Sequence, residues 1–328
     1  MMFFIDLGLI IFFSLLLAKG TQVIVRSLHR LAERTRLGTF GLAAFLVALA
    51  TGLPEIFVAV TSALEGVPEL SLGNVMGANI ANLSLVIGLA ALVGGSVGVV
   101  GEFLRQDFFT AFLAASLPML LLLDGTLGRI DAVVLLTIYV IFNVATLWKE
   151  PAYRQRRRII PSYRFFSKLA NWDTDKEVVW IIVGSGVVLF AAQMLVSTAI
   201  KLAAVIHVPE FLVGLFFVSV GTTLPELSFG IAAIRRKEVG MVYGNVLGSV
   251  VANATLVIGL AALISPIKLQ KGFSEYLLAT MAFVVVFSLF WVLAYSKKKL
   301  TRGEGLVLLL VYLGFILLEF WRASGGGV

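Results

Sequence analysis

Apolar residues run along this chain in ten blocks, near positions 3–25, 38–64, 72–95, 106–124, 131–148, 178–202, 208–234, 242–265, 274–295 and 303–321. A helix rises about 1.5 Å per residue, so each block predicts a helix able to cross the ~30 Å hydrocarbon core of a bilayer. Short polar or basic breaks separate the blocks, and the one long break, from Lys149 to Lys176, leaves five on either side. Polar positions inside the blocks are few, and they recur. The segment 51-TGLPE-55 returns as 222-TTLPE-226, and 73-GNVMGANIANLSLVIGLAAL-92 returns as 244-GNVLGSVVANATLVIGLAAL-263, both 171 residues later and without a gap. An odd number of crossings per half turns the second copy upside down relative to the first. The pattern therefore predicts an all-α integral membrane fold of ten transmembrane helices arranged as two inverted five-helix repeats. The halves are 1–148 and 178–328, joined by a basic connector at 149–177, with the repeated cores at about 38–95 and 208–265.

Charge sets the orientation. With the amino terminus outside, the alternate breaks that fall on the cytoplasmic side hold 20 Lys and Arg: Arg26, Arg30, Arg34 and Arg36, then Arg105, the connector, Arg235 to Lys237, and Lys297 to Lys299 with Arg302. The opposite side holds five, namely Arg129, Lys201, Lys268, Lys271 and Arg322. The positive-inside rule then predicts a multi-pass protein of the cell membrane with both termini extracellular. The first 20 residues lack the basic start and small-residue cleavage site of a secretory signal, so they are expected to stay as the first span. Within the connector, 163-YRFFSKLANW-172 suits either an interfacial amphipathic segment or a plain basic link.

Composition narrows the classes. Hydrophobic residues make up 59% of the chain and charged ones 14%, against about 25% charged in a soluble domain. With the mean hydropathy at +1.01, the bilayer is the expected surrounding. The net charge of +7 is accounted for by the orientation signal, so no nucleic-acid partner is implied, and no obligatory protein partner is evident. The absence of cysteine removes disulfides, thiolate metal sites and cysteine nucleophiles. The two histidines, His29 and His207, fall in or near predicted loops and form no ligand pair. Asp6, Asp107, Asp131, Glu210 and Glu319 stand near block ends, within expected reach of lipid headgroups. Trp180, Trp291 and Trp321 suit the aromatic belts at the membrane interface.

The chemistry concentrates in the repeats. A proline inside a helix lacks the N–H that would serve the carbonyl one turn back, so Pro54 and Pro225 are expected to free carbonyls near residues 50–52 and 221–223. In lipid such carbonyls must face protein, water or an ion. Beside each proline stands a carboxylate, and one turn earlier a threonine: Thr51 with Glu55, and Thr222 with Glu226. An acid inside an apolar span is costly to insert and marks a functional site by default. Carboxylates, carbonyls and amide oxygens are the ligand set of a hard cation such as calcium, and two glutamates neutralise one divalent ion. Without converging His or Cys, zinc and copper do not fit. In the second segments Gly73, Gly77, Gly244 and Gly248 allow close helix approach. Beside them stand Ala78 with Asn82, and Ser249 with Asn253. By themselves those positions also suit plain helix packing.

The doubled signature, 50-ATGLPE-55 with 73-GNVMGANIAN-82 and 221-GTTLPE-226 with 244-GNVLGSVVAN-253, resembles the cation/calcium exchanger superfamily, in particular prokaryotic sodium/calcium exchangers. Their two alpha-repeats read G-T-S-L-P-E followed by G-N-x-x-G-S/A-N-x-x-N/D. The resemblance spans both halves. It implies calcium held by Glu55, Glu226 and the carbonyls of Thr51 and Thr222. It also implies sodium sites that draw on the positions of Ala78, Asn82, Ser249 and Asn253 and on the Ser219 carbonyl. Two departures matter for the ions: in the best-known archaeal-type exchangers of this family the position matching Ala78 is Ser and that matching Asn253 is Asp.

Together these readings predict an antiporter that exchanges calcium for sodium by alternating access, with calcium and sodium as transported ions and no cofactor. In the resemblance, the first span of each half slides past the core. Low dielectric favours the protonated form of a carboxyl, which makes calcium/proton antiport through the same two glutamates the alternative. An intramembrane enzyme is disfavoured because no nucleophile and base converge. A passive channel is disfavoured because two-fold repeats with close helix packing leave no ring of carboxylates around a pore.

Overall fold

The computed structural model describes residues 2–34, 52–98, 103–149, 175–235, 239–269, 276–297 and 299–322. Thr51, Arg36 and the connector segment 163–172 lie outside the described residues. Helices dominate: α1 (Met2–Arg34), α2 (Leu53–Leu64), α3 (Pro68–Gly94), α4 (Phe103–Leu121), α5 (Arg129–Lys149), α6 (Asp175–Ile206), α7 (Glu210–Arg235), α8 (239–264), α9 (Leu277–Lys297) and α10 (Arg302–Trp321). Among the described residues, α1, α3 and α6 to α10 contain stretches long and apolar enough to cross a membrane, and α2 and α4 contain shorter apolar ones. The chain is an all-helical membrane protein.

Helix starts follow from local chemistry. Pro54 and Pro68 sit in the first turns of α2 and α3, where no N–H is required of them. The tight link between those helices turns at Gly66, with φ +78°, a conformation that glycine adopts freely. At the start of α10, Thr301 and Glu304 form a reciprocal capping box.

Three helices widen into a π turn: α3 at Asn82–Val86, α7 at Gly214–Val218 and α8 at Asn253–Val257. The same device accompanies each. Ser84 Oγ donates to the Ile80 carbonyl at 2.5 Å, Thr255 Oγ1 to that of Val251 at 2.6 Å, and Ser219 Oγ to that of Leu215 at 2.5 Å. Such a hydroxyl competes with the backbone ladder for the carbonyl four residues back, and although Thr137, Thr198 and Thr280 make the same bond within regular helix, at these three places it accompanies a widened turn. The result is locally irregular backbone in the middle of apolar helices, a feature membrane proteins tolerate where it faces the protein interior.

Glycines then bring two of these helices together. A Cβ on Gly73 would stand 1.9 Å from the Phe211 carbonyl oxygen, one on Gly77 2.2 Å from that of Leu215, and one on Gly214 2.3 Å from that of Leu70. Backbone atoms cannot yield, so α3 and α7 pack main chain to main chain only because these three positions lack side chains.

α1 and α6 pack chiefly on each other, with Gly20 and Gly184 at their closest approach. They meet the rest of the molecule through a separate apolar cluster that includes Val58, Leu70, Val213 and Val218. Two short antiparallel ribbons tie the halves together: β1 (Ser96–Gly98) with β4 (Lys299–Thr301), and β2 (Thr126–Leu127) with β3 (Ile267–Lys268).

The apolar part of α1, Phe3–Ile24, matches the expected first span, and the helix runs on to Arg34, where Arg30 lies 3.6 Å from Glu177 of α6. Two sequence expectations are corrected. His29 is helical rather than in a loop. Glu319 is 2% exposed rather than among headgroups, and its charge is met by Arg322 at 3.6 Å. The three tryptophans do face outward, at 50%, 45% and 59% exposure for Trp180, Trp291 and Trp321.

Candidate cation site

Both halves deliver a glutamate to the interior. Glu55 lies in the first turn of α2, and Glu226 lies just after a break in α7 at Thr223. The break in α7 has the cause read from the sequence. Pro54 and Pro225 donate no N–H, and the ladder resumes around them through Ile56 N–H to the Gly52 carbonyl and Leu227 N–H to the Thr223 carbonyl, each at 3.1 Å. Both glutamates have no exposed surface.

Their oxygens are poorly satisfied. Glu226 Oε1 accepts a long bond from Ser249 Oγ at 3.4 Å, while Glu226 Oε2 and both Glu55 oxygens have no donor among the described residues. The single Thr222 hydroxyl proton is shared between Asn74 Oδ1 at 3.0 Å and the Ser219 carbonyl at 3.2 Å. Asn82 Oδ1 and Asn253 Oδ1 are also buried without a donor. The crossed packing brings the acids and amides together: α2 touches the π turn that begins at Asn253, and the second part of α7 touches the one that begins at Asn82. Buried polar atoms are nearly always paired. A set of oxygens left unpaired around two carboxylates is suited to a desolvated cation.

Of the residues expected from the sequence, the structure gathers Glu55, Thr222, Ser219, Glu226, Ser249, Asn82 and Asn253 in the buried core. Ala78 is fully buried too and offers no hydroxyl. Thr51 lies outside the described residues. Sequence reasoning missed two amides. Asn74 receives the Thr222 hydroxyl, and Asn79 bonds to Asn253. Asn74 could have been found, because Asn245 repeats it 171 residues later. Asn79 occupies an Asn of the family signature, but the internal repeat does not mark it, because its counterpart is Val250.

A multi-pass helical protein with two carboxylates buried among apolar helices belongs to the ion-translocating class. More closely, the chain belongs to the sodium/calcium exchanger protein family, whose profile matches residues 5–148 and 176–321, and it is a cation/calcium antiporter. It is 28% identical over 285 residues to the putative antiporter CaxA of Alkalimonas amylolytica, covering 84% of this chain and 86% of that protein. It is 29% identical to the inner membrane protein YrbG of Escherichia coli (strain K12), with 93% and 96% covered. It is 22% identical to the sodium/calcium exchanger MaX1 of Methanosarcina acetivorans, with 93% and 95% covered. Among solved structures, the sodium-calcium exchanger NCX_Mj soaked with sodium and strontium aligns with a TM-score of 0.65 and 26% identity, covering 95% of this chain and 97% of that one.

Proposed function

We propose that the protein exchanges calcium for sodium across the cell membrane by alternating access, through a site centred on Glu55 and Glu226. The observation that carries this reading is a pair of fully buried glutamates, one from each repeat, with three of their four oxygens lacking a donor. On this reading calcium takes both carboxylates and the carbonyls of Thr51 and Thr222. Sodium competes for the same carboxylates and uses Asn82, Ser249, Asn253 and the Ser219 carbonyl. An empty site holds two bare charges in low dielectric, which disfavours the unloaded transition and enforces exchange over leak.

The ten-span, inverted architecture belongs to the same proposal. It is supported by π turns at Asn82 and Asn253, 171 residues apart, and by two β ribbons that each join one half to the other. The self-contained α1–α6 pair is suited to slide against the rest. Calcium/proton exchange is the second reading, favoured by Ala78 and Asn253, which remove one hydroxyl and one acid from the sodium positions.

The deciding experiment loads reconstituted vesicles with sodium and measures uptake of radioactive calcium, then repeats it with only a proton gradient. Uptake driven by the sodium gradient alone is expected. Uptake driven solely by protons would replace sodium as the coupling ion.

The proposed orientation has its own test, made simple by the absence of native cysteine. A cysteine at Ser162 is expected to resist impermeant maleimide in intact cells and to react after permeabilisation. Labelling in intact cells would invert the topology.

A further inference from the structure

Asn79 makes two hydrogen bonds across the boundary between the halves. Its Nδ2 donates to the Val250 carbonyl at 3.3 Å, and its Oδ1 accepts from Asn253 Nδ2 at 3.1 Å. The orientation of both amides follows. Reversing Asn79 would set its oxygen against the Val250 carbonyl, acceptor against acceptor, so Asn79 must offer its oxygen to Asn253. Asn253 must then answer with its NH2 group, which leaves Asn253 Oδ1 as the atom to spare. That oxygen is buried without a donor, on the π turn that packs against the helix of Glu55.

The other half has no such device. The counterpart of Asn79 is Val250, which contributes only its backbone, and the counterpart of Asn253 is Asn82, whose oxygen and nitrogen are both buried without a partner. The two amides at equivalent places are therefore unequal: one is held and one is not.

We propose that Asn79 is a positioning residue that holds the carbonyl oxygen of Asn253 toward the cation, while Asn82 keeps the freedom to present either end of its amide. The proposal rests on the reading above in which Asn253 is a sodium ligand. A ligand fixed in its binding orientation loses less freedom when the ion arrives, so Asn79 strengthens sodium binding without touching the ion. It also makes position 253 a donor toward its neighbour and a neutral oxygen toward the site. An ionised Asp introduced there would set acceptor against acceptor at Asn79, so the charge that meets the ion comes from Glu55 and Glu226.

The test uses the full-length purified protein in detergent, with radioactive calcium bound and sodium titrated as the competitor, for Asn79→Val, Asn253→Ala and the double variant. Asn79→Val is expected to raise the half-displacing sodium concentration by roughly five- to tenfold, the effect of losing one buried hydrogen bond, and to leave calcium affinity in sodium-free buffer unchanged. Asn253→Ala should raise it at least as much, and the double variant should be no worse than Asn253→Ala alone, because Asn79 acts only through Asn253. Effects that add in the double variant, or an equal fall in calcium and sodium affinity with a lowered melting temperature, would overturn the positioning role and leave Asn79 a packing residue. Asn79→Ala serves as the second variant if the valine does not fold. If Asn253→Ala leaves sodium displacement unchanged, Asn253 is not a sodium ligand and this proposal falls with that assignment. If sodium fails to displace calcium from the unmodified protein, the sodium reading itself fails, a different result from a silent Asn79.

Discussion

Glu55→Gln and Glu226→Gln are each expected to abolish calcium exchange while leaving a folded protein. Each glutamate supplies half of the charge that compensates a divalent ion, and an amide oxygen of the same shape carries none of it. Removing one partner from a buried charge arrangement costs about 3–5 kcal/mol, so calcium affinity should fall by at least about a hundredfold. The unloaded protein should respond in the opposite direction. Both Glu55 oxygens and Glu226 Oε2 are buried without donors among the described residues, and replacing a stranded carboxylate with a neutral group removes an uncompensated buried charge. The melting temperature of each glutamine variant in chelator should therefore match or exceed that of the unmodified protein. Calcium uptake into vesicles and thermal melting in detergent measure the two effects. Near-normal uptake in either variant would move the site elsewhere, and a lower melting temperature would make the glutamates structural.

Much of this site was legible because a repeat reports spatial equivalence without a structure. Glu55 and Glu226 stood out as the same acid at the same place in two apolar segments, and Pro225 announced the break in α7. The 171-residue offset extends beyond the signatures, linking Asp6 with Glu177, Ser14 with Ser185, Gln22 with Gln193 and Arg30 with Lys201. The residues of the observed Arg30–Glu177 pair thus correspond, through the repeat, to Lys201 and Asp6 at the far ends of the same two helices. What escaped notice was what the two halves do not share, or what looks ordinary in an apolar run. Asn79 faces Val250 in the repeat and so leaves no doubled signal. Ser84 and Thr255 do repeat, but a hydroxyl in a helix more often bonds back to its own carbonyl without consequence, and only the backbone shows that these two widen a turn. The extension of α1 to Arg34 was hidden because hydropathy records where apolar residues stop, whereas the helix continues on a cross-helix ion pair.

Gly221→Ala is expected to slow exchange strongly while sparing calcium affinity. Gly221 precedes Thr222 at the break in α7, and α1 crosses it there: a Cβ at Gly221 would stand 2.0 Å from Ser14 Oγ and 2.4 Å from Ser14 Cβ. The hydroxyl can rotate away, but the Cβ cannot, so α1 must shift in this conformation. Overpacking of this kind costs about 1–3 kcal/mol. On the proposed sliding of α1 and α6, that strain falls on the state in which Ser14 covers Gly221 and not on the ligands themselves. Biasing a two-state element by that amount lowers the population of the strained state roughly five- to hundredfold, and turnover should fall with it. Because Ser14 is the obstacle, Ser14→Gly combined with Gly221→Ala should restore the rate, whereas Ser14→Ala should not, since it keeps the clashing carbon. Initial rates of sodium-driven calcium uptake, set beside equilibrium calcium binding, separate the two effects. A Gly221→Ala protein that exchanges at the normal rate would mean that α1 does not bear on α7 during the cycle. Failure of Ser14→Gly to rescue would place the strain within α7 itself.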